Sequence, residues 1–131
     1  MRALPLLFLL VLLAGCRTTR IYEPPEVPPD VTTILLHDDE IPRVLYASAW
    51  GAFAEFGWEI VGHDSDALRL TVRPEGATAV LELQAVEDEP GGSVGPGHLV
   101  ARVGGDAPDR RRVLEEAVVA LASLPGRFTF R

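Results

Sequence analysis

The chain has 131 residues, room for one domain, and it is acidic, with 19 Asp and Glu against 12 basic residues and a formal charge of −7. An acidic surface repels phosphate backbones, which argues against nucleic acid as a partner. Cys16 is the only cysteine, which excludes an internal disulfide, so the core alone must hold the fold.

The first fifteen residues have the layout of an export signal. Arg2 is followed by the apolar run ALPLLFLLVLL and then by the small residues Ala14 and Gly15. A charged start, a short apolar core and small residues before a cleavage point are typical of secretory signal peptides. The apolar run is too short for a membrane-spanning helix, which needs about 20 residues. We therefore expect export, with residues 1–15 removed.

Leu13 to Cys16, LAGC, resemble the lipobox of bacterial lipoproteins. The resemblance implies that Cys16 becomes the mature N-terminus and carries fatty acyl chains such as palmitate, which fasten the protein to a membrane. Each buried CH₂ contributes about 0.8 kcal/mol, so two or three chains make a durable anchor. In this family an aspartate after the cysteine resembles an inner-membrane retention signal. Arg17 therefore implies the outer membrane, on its periplasmic face. The alternative is an ordinary signal peptide followed by a free cysteine.

Residues 16–30 have the composition of a tether that begins at the lipidated cysteine. Four prolines between positions 24 and 29 favour extended polyproline II backbone and prevent a regular helix. Residues 17–30 would reach up to roughly 40 Å from the lipid. The small folded domain is predicted to occupy residues 31–131.

A strand and a helix are the first predicted elements of the domain. Residues 31–36, VTTILL, are β-branched and apolar, which favours a strand. Asp38 or Asp39 is the predicted N-cap of a helix that has Pro42 in its first turn and stops at Gly57. The helical stripe predicted to face the core comprises Ile41, Val44, Leu45, Ser48, Ala49, Ala52 and Phe56.

Four more strands follow the first helix. Apolar and polar residues alternate between turn-forming segments, which predicts strands at residues 58–61, 67–73, 77–86 and 98–103. The acidic, glycine-rich residues 87–97 are predicted to form a loop.

A second helix closes the predicted domain. It is expected to be capped by Asp106, with Asp109 in a capping-box position, and to end at Gly126. Phe128 and Phe130 alternate in a short tail that would add one more edge strand. The predicted buried stripe of this helix comprises Leu114, Ala117, Val118, Leu121 and Leu124.

The element order β-α-β-β-β-β-α predicts an α+β fold. We expect a two-layer sandwich, with a mostly antiparallel sheet of four to six strands covered on one face by two helices. The first helix, running into FGWEIVGHDSDALRL and the strands after it, resembles the helix-grip modules of lipoproteins attached to the outer-membrane barrel-assembly machinery. The resemblance implies a fold type and carries over no functional residues.

The predicted topology brings His37, His63 and His98 to one edge of the sheet. Imidazole and carboxylate groups together are ligands of zinc, and carboxylates alone suit calcium. The alternative is that no metal binds and the acidic residues only form turns and helix caps, because no HxH or HxxxH spacing pairs two ligands on one element. The acidic residues expected at this edge are Asp38, Asp39, Asp64, Asp66, Glu87, Asp88 and Glu89.

Aromatic residues of the first helix are candidates for an interface. On a helical wheel Trp50 lies nearly opposite the apolar stripe, with Tyr46 on its flank. A tryptophan on the solvent side of a helix is a typical interface anchor. The alternatives are that Trp50 packs under the tether or the C-terminal tail, or that the helix is rotated. Trp58, directly after Gly57, is predicted to lie in the core.

Three functions stay open at this point. The glycines of residues 91–97 are not followed by the Lys-Ser or Lys-Thr of a phosphate-binding loop. The sequence favours a non-enzymatic outer-membrane lipoprotein, without a cofactor, that contacts another envelope protein. The alternatives are a periplasmic ligand- or metal-binding lipoprotein that uses the histidine edge, and a hydrolase of envelope polymers with paired carboxylates.

Overall fold

Six strands and two helices make up the part of the chain that the structure, a computed structural model, describes: residues 23–88, 95–104 and 107–131. The predicted export signal, Cys16, Arg17, Glu89 and Asp106 lie outside these residues. In chain order the elements are β1 (Thr33–His37), α1 (Pro42–Glu55), β2 (Glu59–Asp64), β3 (Arg69–Arg73), β4 (Val80–Glu87), β5 (Gly97–Gly104), α2 (Arg110–Leu121) and β6 (Arg127–Phe130).

The strands form one open antiparallel sheet in the order β2-β3-β4-β5-β1-β6. Strands β2 to β5 follow each other as a meander, and β1 lies between β5 and β6. Leu35 is opposite Val100 on one side and Thr129 on the other. The predicted α+β fold and its element order are confirmed, and the tail that carries Phe128 and Phe130 is the sixth strand.

The pleat divides the sheet into a helix-covered face and an open face. Both helices contact β4 and β5, and their apolar residues join those strands in a single core. Leu81, Leu99 and Ala101 on the covered face are at most 1% exposed. Complete burial of a leucine contributes about 1.5–3 kcal/mol, so the alternation in the sequence is the main source of the sheet's stability. The open face carries Arg69, Thr71, Glu82, Gln84 and Arg102.

Helix α1 is rotated relative to the predicted stripe. Val44 and Phe56, which were expected to face the core, are 39% and 49% exposed, whereas Tyr46 and Phe53 are buried. The helix is apolar on most of its circumference, so hydrophobicity alone does not fix its rotation. Burial of the two aromatic side chains removes more apolar surface from water, and Phe53 also packs edge-to-face on Trp58, with ring centroids 4.7 Å apart.

The two ends of α1 differ in how well the sequence predicts them. The N-cap is Ile41, whose apolar side chain cannot form a capping hydrogen bond, so the prediction of an Asp38 or Asp39 cap is wrong. The Asp38 carboxylate instead accepts the N–H of Asp39 at 2.8 Å. At the other end Gly57 has a φ of 79°, and the Trp58 N–H donates to the Phe53 carbonyl at 3.0 Å. This is a Schellman motif, which confirms the predicted glycine stop.

Helix α2 begins later than predicted and ends earlier. Asp109 is its N-cap residue but makes no side-chain bond to the helix, so the capping-box prediction is wrong. The helix ends at Leu121, five residues before Gly126. Its first four predicted core residues, from Leu114 to Leu121, are buried, whereas Leu124 lies beyond the helix and is only partly buried.

The last residues of the predicted tether pack against the domain. Val27 is only 5% exposed and belongs to the core. The guanidinium of Arg111, in the first turn of α2, donates hydrogen bonds to the backbone carbonyls of Val27 and Pro28. The folded unit therefore includes Val27, four residues before the predicted boundary at residue 31.

Candidate functional site

Two histidines and an aspartate lie together at one end of the open face. His37 in β1 and His98 in β5 are directly opposed in register, and their ring centroids are 5.3 Å apart. Asp88 follows β4, and its Oδ1 accepts a hydrogen bond from His98 Nδ1 at 2.7 Å. One potential metal-ligating atom from each residue lies within 4.8 Å of the other two. We call these three residues the His37–Asp88–His98 cluster.

Backbone contacts fix the cluster from three separate segments. The Asp88 N–H donates to the Pro96 carbonyl at 3.1 Å, which closes the loop between β4 and β5. The Gly97 N–H donates to the Glu40 carbonyl at 2.9 Å and holds the start of α1 against β5. A Cβ on Gly97 would lie 2.8 Å from Pro42 Cγ, so a glycine is needed for this close approach.

The surroundings of the cluster favour a cation. The side chain of His98 is 21% exposed and that of Asp88 is 37% exposed, so the cluster is reachable from solvent. A shallow depression of about 360 Å³ opens beside it, with three carboxylates and one guanidinium in its wall. The excess of negative charge attracts positive ions. The residues that line this depression are His37, Asp38, Asp39, Asp88, Pro96, Gly126 and Arg127.

His63 does not join the cluster, although the strand directions bring the ends of β1 and β2 and the start of β5 to one end of the sheet, as predicted. His63 is opposite Leu70, which is 1% exposed on the helix-covered face, whereas His37 and His98 lie on the open face. His63 is also in β2, at the far edge of the sheet from β1. The sequence could not show this separation because it depends on non-local strand order and on the parity of each register.

Other acidic candidates lie outside the cluster. Asp64 Oδ1 accepts the N–H groups of Asp66 and Ala67, both at 3.1 Å, and thereby forms the turn between β2 and β3. This is the turn-forming alternative that the sequence left open. Glu87 is the last residue of β4.

The aromatic candidates of α1 pack within the domain. Tyr46 is 9% exposed, and its hydroxyl has no hydrogen-bond partner among the described residues. Trp50 is partly buried, with its ring centroid 5.9 Å from that of Tyr46 and 4.9 Å from that of His63. This is the alternative of a rotated helix that the sequence left open, and part of the Trp50 ring stays accessible. Its role in an interface stays a prediction.

Sequence reasoning missed Arg127 and Gly97 beside the cluster. Arg127 is opposite His37 because β6 pairs with β1, and no local pattern in the sequence predicts that pairing. Gly97 had a usable signal, since a glycine at the start of a strand marks a close backbone approach.

Comparison with known proteins adds no relative. No protein-family model matches the chain, and no curated protein is detectably similar to it in sequence. Among the described residues, no helix combines the length and the apolar character needed to cross a bilayer. The functional evidence therefore consists of the residues and their geometry.

Proposed function

We propose that this chain is an outer-membrane lipoprotein, anchored through Cys16, whose small periplasmic domain contacts another envelope protein and is not an enzyme. One observation carries the proposal: the folded unit extends back at least to Val27, eleven positions after a cysteine in a lipobox-like context. So short a link is what a domain that acts beside its own membrane requires.

The packing of Val27 against the domain limits how far the domain can lie from the membrane. With Val27 and Pro28 held by Arg111, only residues 17–26 are left to extend between the lipid and the fold. Ten residues of extended, proline-containing chain span about 30 Å at roughly 3.1 Å per residue. The partner is therefore expected in the same membrane or within that distance of its surface.

Apolar side chains on the surface supply contacts for such a partner. Phe56 at the end of α1 is 49% exposed and Val61 in β2 is 47% exposed. Trp50, earlier on α1 and packed on His63 of β2, keeps part of its ring accessible. Aromatic side chains of this kind are enriched among the residues that dominate interface energies.

The anchor is tested by mass spectrometry of the protein from its native host. The expected N-terminal peptide begins at Cys16 and carries the mass of a diacylglyceryl group, and Cys16→Ala abolishes that mass and releases the protein from membranes. Arg17→Asp is expected to move the protein from the outer to the inner membrane. A mature N-terminus elsewhere, or an unmodified thiol, would overturn the anchor.

The partner role is tested by photocrosslinking in intact cells. A photoreactive residue at position 50 or 56 is expected to give a discrete adduct, whereas the same residue at exposed position 65, in the β2–β3 turn, is not. The absence of a specific adduct from positions 44, 50, 56, 61 and 119 would contradict an interaction through this surface.

A further inference from the structure

The His37–Asp88–His98 cluster has the chemistry of a metal site, and we infer that it binds one divalent transition-metal ion of the zinc class. The inference goes beyond the proposed anchoring and interaction, and neither depends on the other. Each residue supplies one donor atom: a ring nitrogen from His37, a ring nitrogen from His98 and a carboxylate oxygen from Asp88.

The donor distances are close to those of a formed site. Zinc bonds of about 2.0–2.2 Å place neighbouring ligand atoms of a tetrahedron about 3.3 Å apart. Asp88 Oδ1 and His98 Nδ1 are joined by a 2.7 Å hydrogen bond, which an ion bound at both atoms would replace with release of the ring proton, and the donor atoms of the three residues lie within 4.8 Å of one another. A contraction of about 1.5 Å is within the range of small rotations of side chains that are exposed on one side.

The folded backbone holds two of the three ligands in paired strands, so folding meets much of the cost of bringing the ligands together. His37 and His98 face each other across hydrogen-bonded strands. Asp88 is held by its backbone bond to Pro96. Three separate segments thus present three donors before any ion arrives, which favours binding at low metal concentration.

The donor set selects the class of ion. Two imidazole nitrogens and one carboxylate oxygen suit zinc and neighbouring divalent transition metals, with solvent in the fourth position. Calcium takes six to eight oxygen ligands and gains little from imidazole. Asp38 and Asp39 in the adjoining depression add negative charge around the ion.

The bound ion would have a mechanical effect on the domain. It joins β1, β5 and the segment after β4, and so ties the β4–β5 connection to the centre of the sheet. A ligand that binds only the folded state raises its stability. Zinc is therefore expected to raise the melting temperature.

The test is isothermal titration of the full chain, purified in detergent without a histidine tag, with zinc chloride and separately with calcium chloride. We expect one zinc per chain with a dissociation constant in the micromolar range or below, and no comparable heat from calcium. His37→Gln, His98→Gln and Asp88→Asn are each expected to weaken zinc binding at least tenfold. His63→Gln, which removes the third histidine from the opposite face, and Cys16→Ser are the matched controls and leave the affinity unchanged.

Each other outcome overturns the inference. Absence of zinc heat removes the site, equal losses in His63→Gln point to non-specific binding, and a larger heat from calcium assigns the depression to carboxylates alone. If a cluster variant does not fold, nuclear magnetic resonance of the unmodified chain decides. Zinc must then shift the ring signals of His37 and His98 and leave those of His63 in place. Lipid analysis at Cys16 is unaffected by any of these results.

Discussion

The Asp109 carboxylate at the start of α2 accepts the backbone N–H of Thr78, 31 residues earlier, at 2.7 Å. It also accepts the Thr78 hydroxyl and the Ala79 N–H, each at 3.0 Å. A single side chain thereby ties the second helix to the chain just before β4. The Thr78 N–H most of all, and then the Ala79 N–H and the Thr78 hydroxyl, lower the pKa of Asp109 against the opposing effect of desolvation.

The first prediction is that Asp109→Ala destabilises the domain in a pH-dependent way. The pKa of Asp109 is lower in the folded state than its usual value of 3.8, so its contribution is fully present above that value. The contribution is lost as the pH falls through the lowered folded-state pKa. Urea unfolding of both proteins should show a constant difference in the free energy of unfolding above about pH 5 that shrinks below about pH 4.

Asp66→Asn is the matched control for that experiment, because it removes an exposed aspartate outside this contact. It should leave the unfolding curve nearly unchanged. A difference between Asp109→Ala and the unmodified chain that persists undiminished at pH 2 would show that the carboxylate charge plays no part in the contact.

The second prediction concerns Phe53 in α1 and Phe56, the C-cap residue of that helix. Phe53 is fully buried and packs on Trp58, whereas Phe56 is 49% exposed. Phe53→Ala should cost about 3–5 kcal/mol, a large part of the stability of a domain this size, and Phe56→Ala less than about 1 kcal/mol. Chemical denaturation monitored by tryptophan fluorescence measures both, and equal losses would contradict the rotation of α1.

The sequence predicts the strands of the sheet more accurately than it predicts the helices. In a segment such as Leu68 to Arg73, apolar and polar residues alternate strictly. Side chains of a strand point alternately to the two faces of the sheet, so this alternation predicts both that the segment is a strand and which face is covered. The third strand nevertheless begins only at Arg69, because Leu68 has a φ of 57° and belongs to the turn. Helix α1 has apolar residues on most of its surface, so its rotation depended on contacts with Trp58 that sequence does not supply.

The sequence predicts which types of side chain form the candidate site, but it does not predict which residues belong to it. Histidines at strand ends with acids beside them indicated a ligand cluster, and His37, His98 and Asp88 do meet. His63 lies outside the cluster because the register of β2 on β3 places it on the other face of the sheet. Arg127 lies beside the cluster because β6 pairs with β1. Both are long-range pairings, which local patterns leave undetermined.

The third prediction compares two glycines. Gly126 has a φ of 141°, and a Cβ there would lie 2.6 Å from the His37 carbonyl oxygen. Gly126→Ala should therefore cost about 2 kcal/mol or more, through backbone strain and displacement of β1. Gly51 is exposed inside α1 with nothing within 4 Å of its added Cβ, so Gly51→Ala should stabilise by about 0.5–1 kcal/mol. Thermal unfolding should give shifts of opposite sign, and shifts of the same sign would contradict this account of both sites.

The fourth prediction is that Arg111 controls access to the segment before the domain. Its guanidinium bonds the carbonyls of Val27 and Pro28, and Val27 is 5% exposed, so the Glu26–Val27 peptide bond should resist a glutamate-specific protease. Hydrogen bonds from a charged donor are worth about 1.5–3 kcal/mol, and 1.4 kcal/mol corresponds to a tenfold change in an equilibrium. Arg111→Ala should accelerate cleavage after Glu26 about tenfold, measured as the appearance of a fragment that begins at Val27.

Arg112→Ala is the control for this cleavage experiment, since the neighbouring guanidinium donates to the Glu75 carbonyl at 3.0 Å and not to the docked segment. Its cleavage rate after Glu26 should match that of the unmodified chain. Val27→Ser should act like Arg111→Ala, because it removes the buried side chain that the guanidinium holds in place. Equal rates in all four proteins would mean that the segment is released independently of Arg111, and the proposed link to a lipid would then be longer than ten residues.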